Sequence, residues 1–208
     1  MRLIRLAFKL CACVVLAACS IGKPIPQATT YVVELPAATP TAARRPETLR
    51  MGNVRVAASF AGDALVYRMD EVRYIADPYN AFITEPALML GSRMAQWLDH
   101  AGPFQSVVQP DSVRGAPYIL EATVSELYGD FRPGRAPAAV VAVQFALLDL
   151  TARSKVVLER TIASRVDLPQ ASPDALVRGY GKALAEILSQ LAPELDTANL
   201  AYAAQKQR

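Results

Sequence analysis

The first 18 residues constrain the fold most strongly, because they have the features of a segment that is removed before the protein folds. Three basic residues and no acidic residue lie in this segment, which ends in a short apolar run at residues 10–18. A basic start, a short apolar core and small residues before a cleavage site are typical of a secretory signal peptide. The run falls far short of the ~20 apolar residues that a membrane-spanning helix requires. We therefore predict that residues 1–18 are cleaved off and form no part of the folded domain.

The residue after the predicted cleavage site is a cysteine. The sequence Leu16-Ala17-Ala18-Cys19 resembles the lipobox of bacterial lipoproteins, in which the cysteine becomes the first residue of the mature chain. This resemblance implies cleavage between Ala18 and Cys19, with a diacylglyceryl group on the sulfur and an N-acyl chain on the new amino terminus. The alternative is an ordinary secretory peptide with an incidental cysteine. Ser20 resembles the residue that releases Gram-negative lipoproteins to the outer membrane, which implies an outer-membrane lipoprotein facing the periplasm.

Removal of the signal peptide changes the charge of the protein. The whole chain has a formal charge of +3, and residues 1–18 hold three cations, so residues 19–208 are formally neutral. A neutral protein has no strong field to steer it onto phosphates, and we predict no nucleic-acid partner. The 190 residues of the mature chain are enough for one domain with its own hydrophobic core.

The mature chain holds few of the residues that catalysis or metal binding needs. Cys11 and Cys13 leave with the signal peptide and Cys19 would carry lipid, so no thiol remains for a disulfide or a metal. His100 is the single histidine, and it lies at the predicted end of a helix, where its positive form complements the helix dipole. The chain contains no G-x-S-x-G, P-loop or G-x-G-x-x-G motif. We therefore predict that it is not an enzyme and that it binds no metal or cofactor.

Residues 19–28 are predicted to form a lipidated tether, because Pro24 and Pro26 favour an extended backbone. Residues 65–75 predict a tight hairpin that is broken at residues 77–80. Arg44-Arg45 predict a solvated loop, with contact to a partner or to lipid headgroups as the alternative. Three long strands joined by short turns near the C-terminus predict an antiparallel meander. Alternation of apolar and polar residues predicts strands at residues 29–35, 49–59, 104–108, 118–128, 138–150 and 156–166.

Two amphipathic helices are predicted. The first begins at Thr84-Glu85-Pro86, with the threonine hydroxyl as the cap, and ends at Gly102. Trp97 lies near the edge of its apolar face, where we expect core packing, with an interface role as the alternative. The second helix has the same start chemistry at residues 172–174 and is stopped by Pro193. The apolar face of the first helix consists of residues at helical spacing, namely Leu88, Gly91, Met94, Ala95 and Leu98.

These elements predict an α+β fold, with a mainly antiparallel β-sheet and two amphipathic helices packed on one of its faces. The predicted organisation is a signal peptide at 1–18, a tether at 19–28, a single domain at 29–193 and a polar tail at 194–208. The uncovered face or edge of such a sheet is a natural place for a partner to dock.

The stretch at residues 66–108 resembles the ABC-type transport auxiliary lipoproteins, the PqiC/YmbA-like proteins that accompany MCE-domain lipid transporters. The resemblance rests on Tyr67-Arg68 in a strand, on residues 82–86 (FITEP) at a helix start and on residues 102–107 (GPFQSV) at its end. The lipobox, the tether and the order of the strands and of the C-terminal helix also resemble this family. The chain departs from the family at Phe82, where a tryptophan is common.

The resemblance implies an auxiliary component of an intermembrane lipid transport system that acts as a periplasmic scaffold or docking module. Its partners would be an MCE-domain protein and an ABC permease with its ATPase, and it could form homo-oligomers. A rival is direct carriage of lipid in an apolar cavity, and a third interpretation is a general outer-membrane assembly lipoprotein. The first candidates for partner binding are Tyr67, Arg68 and Tyr74 on the hairpin, with ordinary packing of sheet-face aromatics and a surface cation as the alternative.

Overall fold

The computed structural model describes residues 27–40, 44–151 and 155–198. The predicted signal peptide, the cleavage site between Ala18 and Cys19, the lipidation of Cys19 and the last ten residues of the predicted tail lie outside the described residues. Within these ranges, no helix combines the length and the apolar character that crossing a membrane requires.

The described residues form eight strands and two α-helices, with a short 3-10 turn at Ala58–Phe60. In chain order the elements are β1 (Thr29–Tyr31), β2 (Arg45–Val56), β3 (Ala64–Arg68), β4 (Tyr74–Phe82), α1 (Pro86–Ala101), β5 (Phe104–Val108), β6 (Tyr118–Asp130), β7 (Ala138–Asp149), β8 (Lys155–Asp167) and α2 (Pro173–Thr197).

All eight strands belong to one sheet, with β6 at its centre. The strands β6, β7 and β8 form an antiparallel meander, as predicted. Because β7 pairs with one edge of β6 along its whole length, β2 and β3 share the other edge, and both run parallel to β6. The strand β5 extends the sheet beyond β2, and β4 and β1 extend it beyond β3. The predicted α+β class with a mainly antiparallel sheet is confirmed, whereas the parallel pairings of β2 and β3 with β6 were not predicted.

Both helices pack on the same face of the sheet, as predicted, and they also contact each other. Helix α1 lies on β2 and β5, and helix α2 lies on β7 and β8. The core between them consists of large side chains that are fully removed from solvent, among them Met51, Met94, Phe145 and Tyr180. One face of the sheet is therefore covered. No helix of the described residues lies on the other, which we call the helix-free face.

The hairpin of β3 and β4 is confirmed, but the predicted break at residues 77–80 is wrong. Val66 pairs with Ala76 and Ala64 pairs with Ala81, so β4 accommodates the extra residues as a bulge and continues to Phe82. The Asp77 carboxylate closes this bulge by accepting the backbone N–H groups of Tyr79 and Asn80, at 2.8 and 3.0 Å. A proline at position 78 is tolerated there because a bulge leaves ladder positions unpaired.

Helix α1 differs from the prediction at its start and on its buried face. Its N-cap is Glu85, which makes no side-chain capping bond, so Thr84 is not the cap. On the predicted apolar face only Leu88 is wrong, because it is exposed. The other four predicted residues are buried, namely Gly91, Met94, Ala95 and Leu98. Trp97 is buried, as predicted for core packing, and the helix ends at Gly102 as predicted.

Helix α2 begins as predicted, with the Ser172 hydroxyl accepting the N–H of Ala175 at 3.3 Å. It does not stop at Pro193 and continues to Thr197, so the first residues of the predicted tail are helical. Proline removes one backbone hydrogen bond from a helix. The Arg45 guanidinium donates to the Asp196 carbonyl at 2.7 Å and thereby stabilises the end of the helix.

The prediction that Arg44-Arg45 form a solvated loop is therefore corrected as well. Arg45 begins β2 and caps α2, while Arg44 donates to the carbonyls of Asp99 (2.8 Å) and His100 at the end of α1. Two neighbouring arginines thus bind the negative ends of both helix dipoles. This contact fixes the start of β2 against the helix layer.

Strand β1 is shorter than predicted, because the chain leaves the sheet after Tyr31 and crosses the helix layer without regular secondary structure. Arg93 of α1 donates to the Val33 carbonyl at 3.1 Å. Gly181 of α2 allows the crossing, since an added Cβ there would overlap the carbonyl oxygen of Glu34. The segment after β1 therefore contacts both helices, α1 through Arg93 and α2 at Gly181.

Candidate docking surface on the helix-free face

Alternation along β6 identifies the side chains on the face without helices. Leu127 belongs to the core, and a Cβ added at Gly129 would lie 3.0 Å from Leu176 of α2, so these two positions face the helices. Successive side chains of a strand point to opposite faces. Tyr128 and Asp130 therefore lie on the helix-free face.

Three aromatic rings cluster on this face. The ring centroids of Tyr74 and Tyr128 are 5.4 Å apart in an edge-to-face arrangement. Phe60 stacks on Tyr128 at 5.8 Å and meets the edge of Tyr74 at 6.1 Å. Tyr128 is buried beneath the other two rings, whereas Tyr74 remains 43% exposed. The cluster thus presents one accessible aromatic ring on a packed base.

Arg68 lies against this cluster and completes what we call the arginine–aromatic patch (Phe60, Arg68, Tyr74 and Tyr128). Its guanidinium carbon is 5.7 Å from the Tyr74 ring centre, which is a cation–π contact. A hydrogen bond to Tyr128 raises the pKa of Arg68, and burial raises the pKa of the Tyr128 hydroxyl. The Arg68 guanidinium also donates to the Asp70 carbonyl and to the Glu71 carboxylate, at 3.1 and 3.0 Å. The arginine is therefore held in one position beside the exposed ring.

A network of charged side chains supports the patch from the side. The Asp130 carboxylate is only 1% exposed and accepts two hydrogen bonds of 2.8 Å from Arg132 and one of 2.6 Å from Arg165. These bonds, first of all those from Arg132, hold the pKa of Asp130 well below its usual range. Arg132 also donates to Glu71 at 2.6 Å, so the loop after β6 is tied to the turn after β3. The guanidinium groups of Arg132 and Arg165 both donate hydrogen bonds within the protein, so the network stabilises the loop after β6 and the turn after β3.

The structure brings together two of the three predicted binding residues, Arg68 and Tyr74, and places Tyr67 elsewhere. Tyr67 pairs with Gly129, so it lies on the helix-covered face. Its ring stacks on Phe131 at 5.0 Å, and its hydroxyl donates to the Asp77 carboxylate at 2.6 Å. Burial, together with this bond, raises the pKa of the Tyr67 hydroxyl. Its observed role is packing.

A shallow polar trough lies on the helix-free face where β2, β6, β7 and β8 lie side by side, with a volume of about 280 Å³. Its charged side chains include Arg55 and Glu121, whose nearest charged atoms are 3.8 Å apart. Polar side chains alternate with core residues along β6, which is the sequence signal for such a surface.

A larger groove lies on the other side of the molecule, between α1, α2 and residues 36–39. Its volume is about 500 Å³, and alanine and proline side chains line much of it. Trp97 forms part of its wall, and its indole nitrogen has no hydrogen-bond partner among the described residues. The described residues contain no cluster of histidine, cysteine and acidic side chains that could hold a metal ion.

Solved structures share this fold. The Xanthomonas campestris protein XCC0632 superposes with a TM-score of 0.71 at 16% identity, over 86% of this chain and 99% of that one. The structure of an uncharacterized protein gives 0.63 at 17% identity, over 81% and 99% of the two chains. A PelC dodecamer from Paraburkholderia phytofirmans is less similar, with a TM-score of only 0.44 at 18% identity, over 79% of this chain and 96% of that one. None of the curated protein sequences matches this chain.

One protein family matches the chain at the level of sequence. The family is described as the ABC-type transport auxiliary lipoprotein component, and the match covers residues 31–192. It begins in β1 and ends in the last part of α2, so it includes the whole sheet from β2 onwards and helix α1. Because the match spans most of the chain, this protein belongs to the family of ABC-type transport auxiliary lipoprotein components.

Proposed function

We propose that this protein is a lipid-anchored docking module of an MCE-associated ABC transport system and that the arginine–aromatic patch is its contact site. The observation that carries the proposal is the pairing of an exposed Tyr74 ring with a fixed Arg68 on a face that no helix covers. Tyrosine and arginine are, with tryptophan, the side chains enriched at the residues that carry most of the binding energy of protein interfaces. Family membership supports association with an ABC transport system.

The rigidity of the patch favours binding. Tyr128 and Phe60 support the Tyr74 ring from behind, and the Asp130 network fixes the neighbouring turn. A partner that contacts Tyr74 therefore meets a side chain that has already lost much of its conformational freedom. This reduces the entropy cost of association.

The anchor in this proposal is the lipid on Cys19, which would hold the domain at the periplasmic face of the outer membrane. The partners that the proposal assigns are the MCE-domain protein and, through it, the ABC permease and its ATPase. The protein hydrolyses nothing itself in this scheme. It places the periplasmic end of the transporter at a membrane.

The experiment is a crosslinking pulldown of the lipidated protein from native envelope, with Tyr74→Ala and Ile75→Ala variants alongside. Ile75 is a matched control, because it is as exposed as Tyr74 (43%) but lies on the opposite face of β4. We expect wild type and Ile75→Ala to recover an MCE-domain protein and Tyr74→Ala to recover at least tenfold less. A Cys19→Ser variant should lose recovery through loss of the anchor.

Two outcomes would contradict the proposal. If no variant recovers an MCE protein and the purified domain retains lipid by mass spectrometry, direct lipid carriage is the better interpretation, with the 500 Å³ groove as its site. If the recovered partner belongs to a secretion or lipopolysaccharide export machine, the protein is a general assembly lipoprotein.

A further inference from the structure

An apolar stripe runs along the C-terminal half of β4. Phe82 packs against Tyr180 of α2, with ring centroids 6.1 Å apart, so Phe82 faces the helices. Strand alternation then places Tyr79, Ala81 and Ile83 on the helix-free face. Ile83 is 62% exposed, and Tyr79 is exposed as well. Tyr79 lies within the bulge and the other two lie beyond it, away from the arginine–aromatic patch at the other end of β4.

Val32 widens the stripe from the neighbouring strand. Tyr31 pairs with Phe82 in parallel register, and the N–H of Ile83 donates to the Tyr31 carbonyl at 3.0 Å. The residues that directly follow the two strands, Val32 and Ile83, are therefore neighbours at this corner of the sheet. Val32 is 38% exposed. A valine, an isoleucine and a tyrosine thus form one uncharged patch, which we call the apolar stripe (Val32, Tyr79, Ala81 and Ile83).

The chain outside the structure leads to this stripe. Gln27 is the first described residue, and it is eight residues from Cys19. Eight extended residues span at most about 29 Å. Strand β1 begins two residues later at the edge of the sheet, beside the stripe. An anchor at Cys19 therefore keeps this corner of the domain close to the membrane surface.

We infer that the apolar stripe contacts the lipid surface into which the acyl chains of Cys19 insert. The inference rests on the proposed lipid anchor and adds an orientation to it. Transfer from water to the interfacial layer of a bilayer is favourable for both aliphatic and tyrosine side chains. From the stripe, β4 runs roughly 20 Å to Tyr74, allowing 3.3 Å per residue and the bulge. The arginine–aromatic patch then lies away from the lipid, where a periplasmic partner can reach it.

The test uses the lipidated full-length mature protein, whose only cysteine is the acylated Cys19. Ile83→Cys is labelled with the fluorophore NBD and reconstituted in phosphatidylethanolamine and phosphatidylglycerol vesicles that contain a nitroxide-headgroup lipid. The matched control is Val72→Cys in the β3–β4 turn, at the opposite end of β4 and 88% exposed. We expect at least threefold stronger nitroxide quenching at position 83 than at position 72, with a blue-shifted emission.

Equal quenching at the two positions would overturn the inference. So would a blue shift at position 83 that appears in native envelope and not in the lipid vesicles, since a protein partner would then cover the stripe. Failure of the anchor is separately visible, because protein without acyl chains would not float with the vesicles and would show no added lipid mass. Replacing phosphatidylglycerol by phosphatidylcholine should leave the quenching unchanged, because the stripe carries no charge.

Discussion

At the scale of single residues, Asp130 is the buried charged group beside the proposed docking surface. Its carboxylate is buried and bonded to two arginines, so Asp130→Asn leaves Arg132 and Arg165 without their common partner. We expect a loss of about 2–3 kcal/mol in the free energy of unfolding, measured by urea denaturation. Asp167→Asn is the control. Asp167 is exposed and 3.9 Å from Arg165, so we expect less than about 0.5 kcal/mol.

The pH dependence of stability follows from the same carboxylate. The pKa of Asp130 is held well below its usual range in the folded protein. Its stabilising contribution is therefore complete above the unfolded-state pKa of about 4 and is lost as the pH falls below that value. The difference in unfolding free energy between wild type and Asp130→Asn should shrink between about pH 5 and pH 2. A constant difference over this range would contradict the assignment.

Sequence reasoning found part of the candidate site at this scale. Arg68 and Tyr74 were predicted from their place on a hairpin, and the structure puts them in contact. Their supports Phe60 and Tyr128 were missed, because the pairing of β3 with β6 joins segments that are about 60 residues apart. No local pattern encodes that pairing. Tyr67 was grouped with its neighbours by proximity in sequence, although alternation puts it on the other face.

At the scale of elements, Arg45 is the contact that holds the end of α2 beyond Pro193. We expect Arg45→Met to destabilise the fold by about 1–2 kcal/mol, because the last carbonyls of the helix lose a charged donor. Amide hydrogen exchange at residues 195–197 should become at least tenfold faster. Arg55→Met serves as the control, since Arg55 is largely exposed and makes only a 3.8 Å ion pair. Equal effects of the two substitutions would contradict the capping role.

The elements that were predicted well have local causes. The Ser172 cap, the Gly102 end of α1 and the strand at Phe104–Val108 depend on neighbouring residues. The errors have distant causes. Helix α2 passes Pro193 because Arg45 reaches it from β2, about 150 positions away, and β4 passes Pro78 because Asp77 closes a bulge. The charge of Arg44-Arg45 favours exposure to solvent when only the sequence is considered. In the structure, carbonyl groups at the ends of α1 and α2 accept hydrogen bonds from the two guanidinium groups.

At the scale of the whole molecule, the sheet has one face that the helices cover and one that we propose for contact with a partner. The predicted antiparallel meander came from short turns, which can join only antiparallel neighbours. The parallel strands β2 and β3 require long crossovers, so their places beside β6 could not be predicted from turn lengths. In the resulting fold, the arginine–aromatic patch and the apolar stripe lie at opposite ends of β4. In the proposed arrangement, one end meets lipid and the other meets the transporter.

The proposed docking surface is tested most directly by site-specific photo-crosslinking in living cells. A benzophenone side chain replaces Tyr74 in one strain and Ile75 in another, so that the probe leaves the same strand from opposite faces. We expect a crosslink to an MCE-domain protein from position 74, and a yield at least tenfold lower from position 75. Equal yields at the two positions, or a crosslink from position 75 alone, would show that the helix-free face is not the docking surface.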